Sequence, residues 1–189
     1  MDDSLKIVVY TGGTCGDLIG ALIDPSHARL NGTTVSIDPL QQKLKKPHLF
    51  NNDVEKDNYL ENVTFKSIVS HDFEYHKRKK HKFISIIVDD KDLAIWAATR
   101  FKNLHRPHVW NEMQNFSGAS TIEEYARLLI DFSNMVKNFS EYTINLKEIV
   151  SGKAIDILKN ITNKVPKDSH NLYNEWLISN NLTKGISGI

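Results

Sequence analysis

The sequence predicts an α/β fold: a three-layer domain with a mainly parallel central sheet. Three observations predict it. Lys6 to Tyr10 is an apolar, strand-type run that feeds a loop with three glycines, Gly12, Gly13 and Gly16, and then an amphipathic segment, Leu18 to Ile23. Phe83-Ile84-Ser85-Ile86-Ile87-Val88 is a near-continuous apolar run, the pattern of a strand buried on both faces, as parallel sheets require. Around these runs, strand-type and helix-type periodicities alternate, as they do when crossover helices pack on a sheet.

Along the chain, the first strand is Lys6 to Tyr10, and a helix from Gly16 to Ile23 ends before Pro25. Residues 26 to 58 are polar and punctuated by Asn31-Gly32, Pro39 and Pro47. They hold a short strand, Thr33 to Ile37, and a short helix around Asn52 to Leu60. Thr64 to Val69 reads as a strand because β-branched and aromatic residues dominate it. Lys77 to Lys82 is a charged connector into the Phe83 to Val88 strand. Asp89-Asp90 starts a helix to Leu104, with Leu93, Trp96, Ala97 and Phe101 at helical spacing; His105-Arg106-Pro107-His108 breaks it. Ser120-Thr121-Ile122-Glu123 is a capping box, in which hydroxyl and carboxylate satisfy each other's backbone donors. Its helix extends to Asn138, with Tyr125, Leu128, Leu129, Phe132 and Val136 on one face. A strand from Tyr142 to Leu146, a helix from Lys147 to Thr162 and a last one from Ser169 to Asn180 complete the order.

A chain of 189 residues without repeats or a long linker makes a single domain, residues 1–189. A net charge of +1 gives no global pull toward nucleic acid or an anionic membrane. One cysteine excludes an internal disulfide and fits a reducing compartment. No apolar run approaches a membrane span and no leader precedes the first strand, so a cytoplasmic protein is expected. The preference for Lys, Ile and Asn suggests an AT-rich genome, of a phage or other virus, and then the host cytoplasm.

The glycine loop is the segment that points to a ligand class. Strand, glycine loop and helix together present backbone N–H groups that hold anions, usually phosphates. The candidate cradle is Gly12, Gly13, Thr14, Cys15, Gly16, Asp17 and Leu18. A helix dipole contributes only about 0.3–1 kcal/mol at an exposed site, so tight nucleotide binding needs a cation as well. A nucleoside triphosphatase loop reads Gly-x-x-x-x-Gly-Lys-Ser/Thr; here the spacing is shorter and Asp17 stands where the lysine belongs. Nor is this the Gly-x-Gly-x-x-Gly dinucleotide fingerprint. The other account of the loop is a tight strand-to-helix turn that needs glycines for its backbone angles, with Asp17 as a cap.

Several segments taken together resemble the cytosolic-type sulfotransferases, a P-loop α/β family. Gly12-Gly13-Thr14-Cys15-Gly16 is similar to the family's 5′-phosphosulfate loop, and Phe65-Lys66-Ser67-Ile68-Val69-Ser70-His71-Asp72 to the strand that ends in its catalytic histidine. A basic connector and a buried strand follow, as Lys77 to Val88 do, and Thr143-Ile144-Asn145-Leu146-Lys147-Glu148-Ile149 resembles a later strand and helix. The resemblance covers most of residues 5 to 162 by element order. It implies a PAPS-type, phosphate-bearing nucleotide as cofactor and His71 as base. Three departures matter: the loop lysine is absent, the arginine expected for the 3′-phosphate falls at Val88, and the expected serine falls at Trp96.

His71, just past a strand's carboxyl end, is placed to take a proton from an acceptor hydroxyl, with Asp72 to orient or charge it; the other reading of Ser70-His71-Asp72 is an ordinary loop histidine in a turn. Arg100 and Arg106 are candidate anion clamps, although Arg100 also suits a solvent-facing helix position. His71, His76 and His81 are spaced by five residues and give no diagnostic metal pattern, so no metal is expected. The run from His76 to Lys82 suits either a solvated connector or a nucleic-acid backbone. Cys15 reads as a packing residue or as a thiol activated by the helix dipole. Trp96, Phe101, Trp110 and Trp176 read as core.

The leading expectation is a protein that binds a phosphate- or sulfate-bearing small molecule at the glycine loop, and as an enzyme transfers a sulfuryl or phosphoryl group to a small acceptor. The alternatives are a non-catalytic binding or regulatory descendant of the fold, and, behind it, a nucleic-acid-binding accessory protein. A small-molecule ligand is expected rather than nucleic acid or a membrane, and nothing in the pattern sets an oligomeric state.

Overall fold

The computed structural model describes residues 5–25, 28–30, 47–48, 52–64, 66–104, 107–163 and 165–182. The strands are β1 Lys6–Val9, β2 Ala28–Leu30, β3 Pro47–His48, β4 Ser67–Ser70, β5 Ile84–Ile87 and β6 Tyr142–Asn145. The helices are α1 Gly16–Ile23, α2 Asp53–Asn62, α3 Phe73–Arg78, α4 Lys91–Leu104, α5 Pro107–Ser117, α6 Ile122–Val136, α7 Leu146–Val150, α8 Ala154–Thr162 and α9 Ser169–Ser179. The described strands all pair in parallel, in the order β3-β2-β4-β1-β5-β6. This is the predicted α/β class, with helices on both faces of a parallel sheet.

Strand alternation assigns the faces. The register sets Ile7 beside Ile68 and Val8 beside Val69. Val8, Val69, Ile84, Ile86 and Ile144 pack with α1 and α8 on one face. Ile7 and Val9 pack with Phe73, Phe83 and Val136 on the other, where Ile68 meets Tyr75. β1, β4 and β5 are therefore covered on both faces, which explains why β1 and β5 read as continuous apolar runs.

The topology locates the crevice. The chain leaves β1 through α1 on one face, and leaves the adjacent β4 through α3 on the opposite face. Neighbouring parallel strands whose connections diverge in this way form a topological switch point, open at their carboxyl ends.

Several boundaries differ from expectation. Helix α3 replaces the first part of the charged connector, because Asp72 caps it by accepting the Tyr75 N–H at 3.1 Å. An unpredicted helix, α5, follows the Pro107 break; proline is tolerated in a first turn, where its missing N–H is not needed. The α6 capping box is shifted by one residue: Thr121 Oγ1 accepts from Glu124 N at 3.1 Å, and the Glu124 carboxylate accepts from Thr121 N and Ser120 N. The expected helix from Lys147 to Thr162 is two helices, parted where Gly152 takes φ +86°. The expected Thr33 to Ile37 strand lies outside the described residues.

Buried hydroxyls close the layers. Ser133 Oγ on α6 donates to Leu129 O at 2.7 Å and accepts from Val88 N at 2.9 Å, tying the end of β5 to that helix. Ser169 Oγ donates to Leu22 O at 2.8 Å, joining α9 to α1 across 147 positions of sequence. The Tyr173 hydroxyl donates to Ile149 O and accepts from Ala154 N, so α9 also binds the turn between α7 and α8.

Candidate functional site at the carboxyl edge of the sheet

The glycine loop and His71 meet at the switch point. β1 ends at Val9 and β4 at Ser70, paired side by side, so Tyr10 and His71 leave the sheet together. His71 Nδ1 lies 2.9 Å from Tyr10 O, and the two rings are 4.1 Å apart between centroids. A carbonyl only accepts, so this bond requires the proton on Nδ1 and leaves the lone pair on Nε2. His71 is exposed. Asp72 was the expected orienting group, but its carboxylate caps α3 and accepts from Lys56 Nζ at 2.6 Å; the backbone of Tyr10 fixes the His71 ring. Burial pushes the Asp72 carboxyl up, and the hydrogen bond from Lys56 and the Tyr75 N–H outweigh it, so its pKa lies below the usual carboxylate value.

The loop divides into two parts. Thr11, Gly12 and Gly13 are partly exposed, whereas Thr14, Cys15, Gly16, Asp17 and Leu18 are buried. Thr14 N and Oγ1 both donate to Thr11 O, at 3.2 and 2.8 Å. Cys15 sits at the start of α1 with φ 67°, its thiol 3.7 Å from Gly13 O, in a packing role. The glycines admit neighbours: a Cβ on Gly13, which has φ +93°, would lie 2.3 Å from Ala97 O, and one on Gly16 would lie 2.0 Å from the Tyr10 ring. α4 and α6 cover the loop, with the Phe101 ring against Gly12 and the Tyr125 hydroxyl donating to Gly12 O at 3.2 Å. Burial pushes the Tyr125 phenol far up, so it remains a donor at all ordinary pH values.

Asp17 places its carboxyl group at the start of α1, accepting from the Tyr10 hydroxyl at 2.9 Å. A carboxylate there suits the helix dipole and opposes a second anion at the same amides. The partly exposed stretch Thr11 to Gly13, beside His71, is the part of the loop open to a ligand.

The remaining candidates fall elsewhere. Arg100 is 9% exposed; its Nε donates to Asn180 Oδ1 at 2.9 Å, and its guanidinium lies 5.9 Å from the Trp96 ring and 5.6 Å from the Trp176 ring. It joins α4 to the end of α9, in place of the solvent-facing position that its spacing allowed. Arg106 lies outside the described residues. Val88 is buried in the core. The basic run is answered by acids of this chain: Arg78 pairs with Asp53 at 2.8 Å, Lys79 with Asp57 at 2.5 Å, Lys77 with Glu74 at 3.9 Å and Lys82 with Glu141 at 3.0 Å. Among the described residues no three His, Cys, Asp or Glu side chains gather in a metal-binding group, and no helix is long and apolar enough to cross a membrane.

Sequence reasoning missed Tyr10 and Tyr125. Tyr10 carried a signal, a phenol closing an apolar strand; Tyr125 carried none, because its contact with Gly12 spans 113 positions.

No family model and no curated protein matches the sequence. Among solved structures, a mouse sulfotransferase complexed with PAP aligns with a TM-score of 0.47 at 14% identity, over 94% of this chain and 65% of that one. The chain thus spans less than two thirds of that protein.

Proposed function

We propose that the carboxyl edge of the sheet between β1 and β4 binds a small phosphate- or sulfate-bearing molecule, and that His71 exchanges a proton with what is bound there. The observation that carries this reading is the His71–Tyr10 bond, which in the neutral ring puts the lone pair on Nε2, at a switch point that also holds the partly exposed Thr11 to Gly13. In a sulfuryl or phosphoryl transfer, His71 Nε2 would take the proton of the attacking hydroxyl. The Thr11 to Gly13 amides would face the transferring group's charge.

A PAPS-type nucleotide asks more of the site than these residues offer. The positions at which a 3′-phosphate would find arginine and serine are a core valine, Val88, and Trp96, which lies against Arg100. No step is therefore assigned to the nucleotide, and the ligand class stays at the phosphate or sulfate group. A second reading, a binding protein without turnover, is favoured by the burial of Thr14 to Leu18 and by the Asp17 carboxyl group at the start of α1.

Calorimetry with adenosine 3′,5′-bisphosphate and with inorganic phosphate, on wild type and His71→Ala, tests these readings. Saturable heat at millimolar phosphate, with ring resonances of His71 shifting on addition, is expected. Absence of heat with both ligands would overturn the site. Binding unchanged in His71→Ala would remove the histidine's part in it.

A further inference from the structure

The protein holds the loop carbonyls of Thr11 and Gly12. Thr11 O accepts from the Thr14 amide and hydroxyl, and Gly12 O accepts from the Tyr125 hydroxyl at 3.2 Å. In a planar trans peptide the C=O and N–H point in opposite directions, so the Gly12 and Gly13 amides are turned away from those donors. Among the described residues neither amide donates a hydrogen bond, and both glycines are partly exposed. The packing requires glycine at both positions: a Cβ on Gly12 would lie 2.5 Å from the Phe101 ring, and one on Gly13 2.3 Å from Ala97 O. Glycine reaches positive and negative φ about equally, so a peptide with glycine on each side turns over with little resistance of its own. Turned over, the Gly12–Gly13 peptide would offer a carbonyl where it now offers an N–H.

We propose that Tyr125 is a positioning residue for the loop: by holding Gly12 O it keeps the Gly13 N–H turned away from α6 and available to a ligand, which makes the loop a receptor for an oxyanion and not for a cation. The ligand class rests on the function proposed above; the hold on the peptide does not. The tyrosine is itself fixed. It is 6% exposed, and its ring centroid lies 5.7 Å from that of Phe101 and 5.8 Å from that of Trp110, the latter edge to face. Its helix is anchored before it by the Thr121 capping box and beyond it by Ser133, whose hydroxyl accepts from Val88 N. Burial keeps the phenol protonated, so the hold does not lapse as pH rises through the ordinary tyrosine value. The loop thus owes its close packing to two glycines, and the sense of the peptide between them to one hydroxyl from a distant helix.

Backbone N–H residual dipolar couplings of the chain, in wild type and Tyr125→Phe, test the hold. The Gly13 coupling is expected to change in Tyr125→Phe while those of β1 and α6 stay as they are. Calorimetry with inorganic phosphate tests the consequence: binding should be about tenfold weaker in Tyr125→Phe. Tyr173→Phe is the control for a merely structural role, because it removes a buried hydroxyl that α9 brings to the turn between α7 and α8; it should leave phosphate binding unchanged. An unchanged Gly13 coupling in Tyr125→Phe would overturn the proposal, and so would phosphate binding that both variants weaken equally or that neither weakens. If wild type takes up no phosphate while the Gly13 coupling still responds to Tyr125→Phe, the ligand reading fails and the positioning of the peptide stands.

Discussion

At Gly13 two constraints coincide: a φ of +93° and the Ala97 carbonyl, 2.3 Å from where a Cβ would stand. Gly118 has a comparable φ of +74° with nothing near its Cβ position. The pair separates strain from collision. Gly118→Ala should cost about 1 kcal/mol, from backbone strain alone. Gly13→Ala must also displace the backbone of α4 and should cost more than about 3 kcal/mol, read by urea unfolding. Equal losses would mean that the α4 contact is not a constraint on the loop. Among the described residues, His76 is a buried histidine through which pH acts on stability. Burial, then the neighbouring His81, lowers its pKa from 6.5 to about 3, against a weaker upward pull from Asp72. The folded chain therefore binds fewer protons than the unfolded chain between pH 3 and 6.5. Its contribution is complete above pH 6.5 and falls as pH drops toward 3, by up to about 1.4 kcal/mol per pH unit. The lowered carboxyl of Asp72 adds to the loss only as pH falls through the ordinary carboxyl value of 3.8 and below. His76→Phe should flatten the profile between these limits; an unchanged slope would place the titration elsewhere.

Among the elements, α3 shows why a charged run was hard to read. Its sequence, Phe73-Glu74-Tyr75-His76-Lys77-Arg78, suggests solvent, yet Tyr75 and His76 are fully buried. The partners that make this possible sit on α2, about twenty positions earlier: Lys56 meets Asp72, Asp57 accepts from Tyr75 Oη at 2.8 Å, and Asp53 holds Arg78. No local period encodes such an arrangement. β1, β5 and α1 were legible because full burial writes itself as unbroken apolar sequence, and the meeting of His71 with the loop followed from parallel topology. The burial of Thr14 to Leu18 was not legible, since Phe101 and Tyr125 come from α4 and α6. The α6 cap register was ambiguous because Ser120 and Thr121 are each followed three residues on by a glutamate. The α2–α3 junction can be tested directly. Lys56 is 7% exposed and its ammonium lies 4.8 Å from the Tyr75 ring centroid. Lys56→Met leaves Asp72 partly buried without its cation and should cost about 1–3 kcal/mol. Adding Asp72→Asn, which keeps the cap oxygen, should recover part of that loss in a double-mutant cycle; additive losses would mean the pair does not act as a unit.

For the molecule as a whole, the sheet order makes the ends of the chain interdependent. α1 is buried at every position, and the covering groups come from α8 and α9, more than a hundred residues later. Ser169 and Tyr173 supply polar ties at this junction, to Leu22 O and to Ile149 O. Removing residues from Ala154 onward would expose the apolar side of α1 and leave the Leu22 carbonyl without the Ser169 hydroxyl. β1 and the glycine loop would lose the support that holds them against α4. The truncated chain should then lose its near-ultraviolet circular dichroism and show a broad urea transition with a lowered m-value, as a collapsed state without fixed packing does. Tyr173→Phe is the gentler form of the same test. It preserves the ring's packing and removes only the hydroxyl between Ile149 O and Ala154 N. A loss of about 1–3 kcal/mol with an unchanged m-value is expected. Normal cooperativity in the truncated chain would show instead that residues up to Lys153 close a core of their own, with α8 and α9 an appendage to it.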